Sequence, residues 1–243
     1  MIEPLLLSAV PIFTFNGQQG LTNATGFLFE RDGRLWLVTS RHVLHDEPSE
    51  HYPDRIEIEV HVNAANVAES TRFSMPLYGH STAVWRQAED SSGHVDVATL
   101  EIDRNALPAT ALYRAFTPWH LLAPAEQVEI GSSLLVVGFP LGFHDTLHHM
   151  PVARQAIVAS SFGLRFQGEG YFLSDARTHR GSSGAPVVMR IAAPGPEHGD
   201  LPWRLLGIHS ARLDVGGRDV DMDEALGLNC AWYADILLAL TDA

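Results

Sequence analysis

The sequence contains no lysine, so all sixteen of its basic residues are arginine. This absence excludes Ser–Lys dyads, Schiff-base lysines and phosphate loops that depend on a lysine. The 29 acidic residues outnumber the basic ones and give a formal net charge of −13. Such a charge argues against nucleic acid as a partner, because phosphate binding needs clustered cations.

Cysteine is nearly absent as well, and Cys230 alone cannot form an intrachain disulfide. Its apolar surroundings predict a buried small residue rather than a reactive thiol. The first seven residues lack a basic segment, and Glu3 and Pro4 stand where a signal peptide would be positive and then apolar. No apolar run approaches the roughly 20 residues that a membrane span needs. We therefore expect a cytoplasmic protein that does not bind membranes.

What the chain does contain is a strand pattern with a period of two. Hydrophobic residues make up 46% of the chain, and in Arg55–Val62 they alternate strictly with polar ones, as in a half-buried strand. Asp32 and Gly33 between two apolar runs predict a tight hairpin. The other predicted strands cover residues 7–15, 71–77, 95–102, 132–138, 153–162, 171–174, 185–190, 203–210 and 226–232. The sequence therefore predicts an all-β protein, built as a barrel or a sandwich.

Two features modify this picture. Helical spacing occurs only at about residues 232–241, where Trp232, Ile236, Leu237 and Leu240 fall on one side. Residues 115–124 break the strand rhythm and are interpreted as a crossover. We therefore expect a short C-terminal helix and two β-rich halves, residues 1–115 and 116–243.

Three polar residues in the predicted strands and turns have the chemistry of a catalytic triad. His42, Asp96 and Ser183 occur in this chain order, each beside or within an apolar, β-branched run. The chymotrypsin arrangement has the same order, whereas subtilisin and the α/β-hydrolases order the three groups differently. The pattern therefore points to a serine peptidase.

Amide hydrolysis assigns each of these groups a role. Ser183 would be the nucleophile, His42 its general base, and Asp96 the carboxylate that orients the imidazole. Glycines at 181 and 184 allow a tight turn, and the backbone N–H groups of Gly181 and Ser183 would form the oxyanion hole. His42 and Asp96 fall in the first half and Ser183 in the second.

Each residue also has a plainer interpretation. A Gly-Ser-Ser-Gly run is usually a flexible loop, a lone histidine after a strand is usually structural, and an aspartate in Val-Asp-Val commonly lies on an exposed edge. The agreement of chain order with local context favours the triad over these three separate alternatives.

The same segments resemble the signature blocks of trypsin-like (chymotrypsin-fold) serine peptidases. The bacterial branch that includes the high-temperature-requirement proteases and the glutamyl endopeptidases is the most similar. The resemblance rests on residues 38–43, 96–98, 138–142, 174–176 and 181–186. It implies two packed six-stranded antiparallel β-barrels with the active site between them. It also implies a serine endopeptidase that acts on protein or peptide substrates through an acyl-enzyme on Ser183, without metal or organic cofactor.

The resemblance further assigns the primary specificity pocket to Thr178 and His209. A hydroxyl and an imidazole can both donate to a side-chain oxygen, so we expect Glu or Gln before the scissile bond. His209 bonded to a neighbour as a structural residue is the alternative. Arg212 stands where the family often has glycine and would add an acidic preference or obstruct the cleft. Ser182 replaces the aspartate that trypsin zymogens use for activation, which excludes that route.

Two further interpretations stay open. Arg180 and Arg212 are bulky residues near the expected substrate path, so a non-catalytic or latent protein-binding module on the same fold is the alternative function. His144 and His148 have the spacing of zinc ligands on a helix. Asp145 stands where a catalytic zinc site needs glutamate, so we expect these histidines and His149 in a loop beside the cleft, with no metal.

Overall fold

The computed structural model describes residues 2–123, 126–213 and 227–242. Within these ranges the chain forms fifteen strands and two short α-helices, which confirms the all-β prediction. The first nine strands are β1 (Ala9–Asn16), β2 (Gln19–Arg31), β3 (Arg34–Thr39), β4 (Arg55–His61), β5 (Ser70–Pro76), β6 (Tyr78–Gly79), β7 (Thr82–Ala83), β8 (Arg86–Asp90) and β9 (Gly93–Ile102). The other six are β10 (Ser133–Gly138), β11 (Val152–Val158), β12 (Tyr171–Asp175), β13 (Pro186–Arg190), β14 (Trp203–Arg212) and β15 (Leu228–Tyr233).

The helices are short and lie between or after strands. The α-helices are α1 (Arg41–Leu44) and α2 (Ile236–Leu240), and single 3₁₀ turns cover Pro4–Leu7, Pro118–His120, Pro140–Gly142, Phe166–Gly168 and Pro196–His198. No helix among the described residues is long and apolar enough to cross a membrane.

The N-terminal half forms one antiparallel sheet with the order β5-β4-β1-β2-β3-β9-β8. The predicted hairpin joins β2 to β3, with Asp32 at φ 51° and Gly33 at φ 76°, the left-handed pair that a type I′ turn requires. The sheet has seven strands rather than six because the chain between β4 and β9 contributes two strands to it. β5 pairs with β4 at one end of the sheet, and β8 pairs with β9 at the other. Pro76 ends β5, and the hairpin β6–β7 then turns at residues 80 and 81, which both have positive φ.

The C-terminal half forms a closed barrel of six strands, in the order β10-β11-β12-β15-β14-β13, as predicted. The helix that follows is shorter than its predicted range. Trp232 lies on β15 opposite Tyr171, so its backbone belongs to the barrel ladder, and α2 begins only at Ile236. Leu237 and Leu240 provide the buried face of α2.

The two halves pack around a common group of apolar side chains. Its fully buried members come from both sheets and from the connection between them, and they include Phe27, Phe29, Phe116, Val137, Val188 and Ile208. Phe116 forms a bridge with Phe29 of β2, and Leu121 forms one with Leu205 of β14. Residues 116–121 therefore fasten the first sheet to the barrel.

The C-terminal helix reinforces this attachment by packing on the N-terminal sheet. The Thr99 hydroxyl on β9 donates to the Leu240 carbonyl at 3.1 Å, and the Arg86 guanidinium on β8 donates to the Asp242 carbonyl. Sheet and barrel thus meet along two seams, and a cleft remains where β2 and α1 face the loop between β12 and β13.

Candidate active site

A cleft of about 590 Å³ separates the N-terminal sheet from the barrel. Its walls are the first part of β2 with α1 on one side and Arg180, Gly181 and Ser183 of the β12–β13 loop on the other. His42 and Ser183, predicted from distant parts of the sequence, both line it. Asp46 and Glu50 add carboxylates to the wall formed by the N-terminal half, and Arg180 adds a guanidinium to the opposite wall.

His42 is held at the start of α1, directly after β3. Its Nδ1 lies 2.7 Å from Asp96 Oδ2, and its backbone N–H donates to Asp96 Oδ1 at 2.8 Å. Because a carboxylate only accepts, Nδ1 carries the proton and Nε2 is left as a proton acceptor. Among the described residues Nε2 has no protein partner, so it is available to a group in the cleft.

Asp96 lies on β9 between the buried side chains of Val95 and Val97, so the period of the strand directs its carboxylate to the opposite face. It accepts hydrogen bonds from the ring and backbone of His42 and from the Ser210 hydroxyl. Burial raises the pKa of Asp96, but the bonds and charge of His42 together with the Ser210 bond outweigh burial and lower it. The carboxylate therefore stays ionised at neutral pH.

The pKa of His42 moves in the opposite direction. Burial lowers it, but the hydrogen bond and negative charge of Asp96, assisted by the charge of Asp46, raise the pKa above the ordinary imidazole value. This is the environment of a base that is strengthened by its carboxylate partner.

Ser183 occupies a turn that glycines make possible. Gly181 has φ 90° and Gly184 has φ 85°. A Cβ on Gly184 would lie 2.1 Å from the Thr25 carbonyl oxygen, and one on Gly181 would lie 2.6 Å from the Phe139 carbonyl oxygen. Neither site can hold a side chain without moving the backbone. Within the described residues, the N–H groups of Gly181 and Ser183 donate to no protein acceptor, so both are available to an oxyanion.

The hydroxyl of Ser183 does not point at His42 in this structure. Ser183 Oγ donates to the carbonyl oxygen of Ser210 at 3.0 Å. Ser210 therefore contacts both Ser183 and Asp96, because its carbonyl accepts the Ser183 bond and its hydroxyl donates to Asp96. The structure joins His42 directly to Asp96, and Ser183 to this pair through Ser210.

Sequence reasoning missed Ser210 and Thr25. Ser210 directly follows His209 on β14, so a strand that presents His209 to one side presents Ser210 to the other, and this alternation is the signal that could have found it. Thr25 is buried, accepts a bond from the Phe139 N–H at 3.0 Å and donates to the Gly181 carbonyl at 2.7 Å. It fastens the nucleophile loop to β2, and no local pattern in the sequence indicates this contact.

The structure describes the side chains of two of the three predicted specificity residues. Thr178 and His209 are both buried, at 3% and 2% exposure. The Thr178 hydroxyl donates to Asn229 Oδ1 on β15. Arg212 ends β14, and its side chain lies outside the described residues, as do residues 214–226.

The remaining sequence candidates lie away from this chemistry. His148 bonds Asp145 at 2.7 Å and His149 bonds Glu59 at 3.0 Å, both in or beside the loop before β11. In the described ranges no three metal-ligating side chains converge. Cys230 is buried as predicted, and burial raises the pKa of its thiol to about 11, which keeps it protonated.

Comparisons with known proteins identify the family and the fold. A family model described as "Trypsin-like peptidase domain" matches residues 24–191, a range that contains His42, Asp96 and Ser183. A crystal structure of a serine endoprotease from Yersinia pestis matches with a TM-score of 0.57 and 14% sequence identity, over 97% of this chain and 62% of that one. At this identity the likeness shows the fold. No curated protein sequence matches the chain.

Proposed function

The chain belongs to the family of trypsin-like peptidase domains, and from this membership we propose that it is a serine endopeptidase. The observation that supports the proposal most directly is the bond between His42 Nδ1 and Asp96 Oδ2 at 2.7 Å, in the cleft that Ser183 also lines. A carboxylate that holds one imidazole nitrogen, while the other nitrogen is available in a cleft that a serine also lines, is the arrangement that general-base attack requires.

The proposed reaction uses these groups in two half-reactions. Ser183 Oγ attacks the peptide carbonyl while His42 Nε2 takes the hydroxyl proton, and the imidazolium then gives that proton to the leaving amine. Water repeats the sequence on the acyl-enzyme and releases the acid product. The N–H groups of Gly181 and Ser183 would stabilise the oxyanion, and each such donor is typically worth about 10²–10³ in turnover.

One observation favours a second candidate, a latent peptidase or a non-catalytic binding module. The Ser183 hydroxyl is engaged with the Ser210 carbonyl, so its proton is directed away from His42. Catalysis requires a rotation of Ser183 that exchanges this bond for one to Nε2. A substrate or partner that takes over the Ser210 carbonyl would make the hydroxyl available.

For the residue before the scissile bond we propose glutamine over glutamate. The amide nitrogen of Asn229 donates to the carbonyls of Ala176 at 2.8 Å and Gly227 at 3.0 Å, which fixes the orientation of the amide. Its Oδ1 then takes the only proton of the Thr178 hydroxyl. Thr178 is left able to accept but not to donate, which suits the N–H₂ of glutamine and not a carboxylate. The imidazole of His209 would donate to the side-chain oxygen of either residue.

A digest of a peptide library tests activity and specificity together. Wild-type protein should cleave, and Ser183→Ala should not. Glutamine should exceed glutamate before the cleaved bond by about tenfold, the effect of one unsatisfied polar group. Thr178→Val should remove this discrimination, whereas Thr178→Ser, which keeps the hydroxyl, should preserve it. Cleavage without enrichment of either residue would reject the pocket assignment and leave the catalytic one intact.

A further inference from the structure

A second groove of about 570 Å³ lies on the barrel, next to the catalytic cleft but sharing no lining residue with it. It runs between β11 and residues 177–179, and Leu141 and Phe143 stand at its rim. These two side chains are 66% and 68% exposed. Large apolar side chains this exposed and this close together on a protein surface commonly mark a binding site.

The charge of this groove is opposite to that of the molecule. Arg154 and Arg177 line it together with His179, and none of its described lining residues carries a carboxylate. Neither guanidinium has an ion pair or hydrogen bond with another described residue. In a chain with a net charge of −13, two arginines without a partner among the described residues, in a groove with apolar side chains at its rim, favour a ligand that brings its own carboxylates.

The backbone of the groove supplies an open strand edge. β11 pairs with β10 along residues 152–157, but it pairs with β12 only at Ile157 and Val158. On the β12 side, residues 152–156 have no backbone partner among the described residues. An unpaired edge at the floor of a groove is the surface to which an extended peptide adds as a further strand.

We propose that this groove binds an extended acidic peptide segment of a partner protein by strand addition to β11. Backbone hydrogen bonds to residues 152–156 would hold the segment, and its alternate carboxylates would bond Arg154 and Arg177. A large apolar side chain of the segment would cover Leu141 and Phe143. This inference does not rest on the proposed peptidase activity, because none of these groups takes part in the chemistry.

Binding of a fluorescein-labelled peptide to full-length Ser183→Ala protein tests the proposal by fluorescence anisotropy. The probe is a heptapeptide in which acidic residues alternate with two valines and a central phenylalanine. We expect saturable binding that weakens as salt is raised. A second probe with proline in place of valine, which cannot pair as a strand, and a third with lysine in place of the acids should both bind at least about tenfold more weakly.

Charge reversal locates the site. Arg154→Glu with Arg177→Glu should weaken binding at least about tenfold, because two charge-assisted contacts become repulsive. Arg190→Glu, at an exposed arginine outside the groove, is the matched control and should leave binding unchanged. Unchanged melting temperatures would show that all variants fold.

Four results would overturn the proposal: no saturable binding, equal binding to the double variant, equal binding of the lysine probe, or equal binding of the proline probe. Sedimentation velocity supplies a fifth. If the protein self-associates and the double reversal abolishes it, the groove binds a second copy of this chain instead of an acidic peptide.

Discussion

At the scale of single residues, the chemistry of the cleft depends on one carboxylate. Asp96 is partly buried and accepts three hydrogen bonds, which together with the charge of His42 keep its pKa low. Its own hydrogen bond and negative charge in turn raise the pKa of His42. Ser210 contributes to both sides of the arrangement, with its hydroxyl on Asp96 and its carbonyl on Ser183. The state of the imidazole therefore follows the charge of Asp96.

The pH dependence follows from these directions. His42 must be neutral to act as a base, so kcat/KM should fall as pH drops through the pKa of His42. The midpoint of this fall should lie at a pH above the ordinary pKa of an imidazole, because Asp96 raises the pKa of His42. In Asp96→Asn the negative charge is gone while burial, which lowers the pKa, remains. NMR titration of the His42 ring, in a Ser183→Ala background, should then give a pKa below that of the matched protein with Asp96. An unchanged or higher value would contradict the assigned coupling.

At the scale of elements, the loop between β12 and β13 is shaped by contacts with the opposite half. Thr25 on β2 bonds the Gly181 carbonyl, and its N–H donates to the Ser183 carbonyl at 3.0 Å. Gly184 packs so closely against Thr25 and Thr39 that no side chain fits there. The loop is thus fixed by tertiary packing, although glycine makes its conformation possible.

Two glycine substitutions separate steric contact from backbone conformation. Gly184→Ala should lower the free energy of unfolding by at least about 3 kcal/mol. The Cβ of the alanine would overlap the backbone of β2, and the alanine would also have to adopt a positive φ. Gly131→Ala has a similar φ of 84° but open space around its Cβ. It should cost only about 1–2 kcal/mol, the conformational penalty alone. Urea unfolding monitored by circular dichroism measures both, and equal losses would show that close packing at Gly184 is unimportant.

Strands could be predicted from the sequence where apolar and polar side chains alternate. The prediction failed for strands that lack this alternation. Strands with one buried face, such as β4, were predicted almost to the residue. β8 was missed because Arg86–Asp90 is polar and lies at a sheet edge. Trp232 was predicted both as the end of a strand and as the start of the helix, and its backbone pairs within the barrel. Ser210 and Thr25 escaped notice because their roles arise from contacts with residues far away in the chain.

At the scale of the whole molecule, the two halves share their apolar packing. Phe116 is fully buried, contacts Phe27 edge to face at 5.7 Å between ring centroids, and belongs to the connection between sheet and barrel. The division of the chain into halves at residues 115 and 116 stays a prediction, and the shared packing indicates that the two halves stabilise each other.

We expect the protein to unfold in one cooperative transition. Phe116→Ala should lower the free energy of unfolding by about 3–5 kcal/mol, the usual cost of a large buried aromatic, and shift that single transition without splitting it. Differential scanning calorimetry checks this through equal calorimetric and van't Hoff enthalpies. Two resolved transitions in the wild-type protein would mean that the halves are independently stable.

The most direct test of the central claim is the mass of the protein after incubation with a fluorophosphonate. We expect a single covalent adduct, mapped by peptide sequencing to Ser183, that is absent from Ser183→Ala and strongly slowed in His42→Ala. A folded wild-type protein that stays unmodified, or is modified equally in Ser183→Ala, would contradict an activated serine in this cleft.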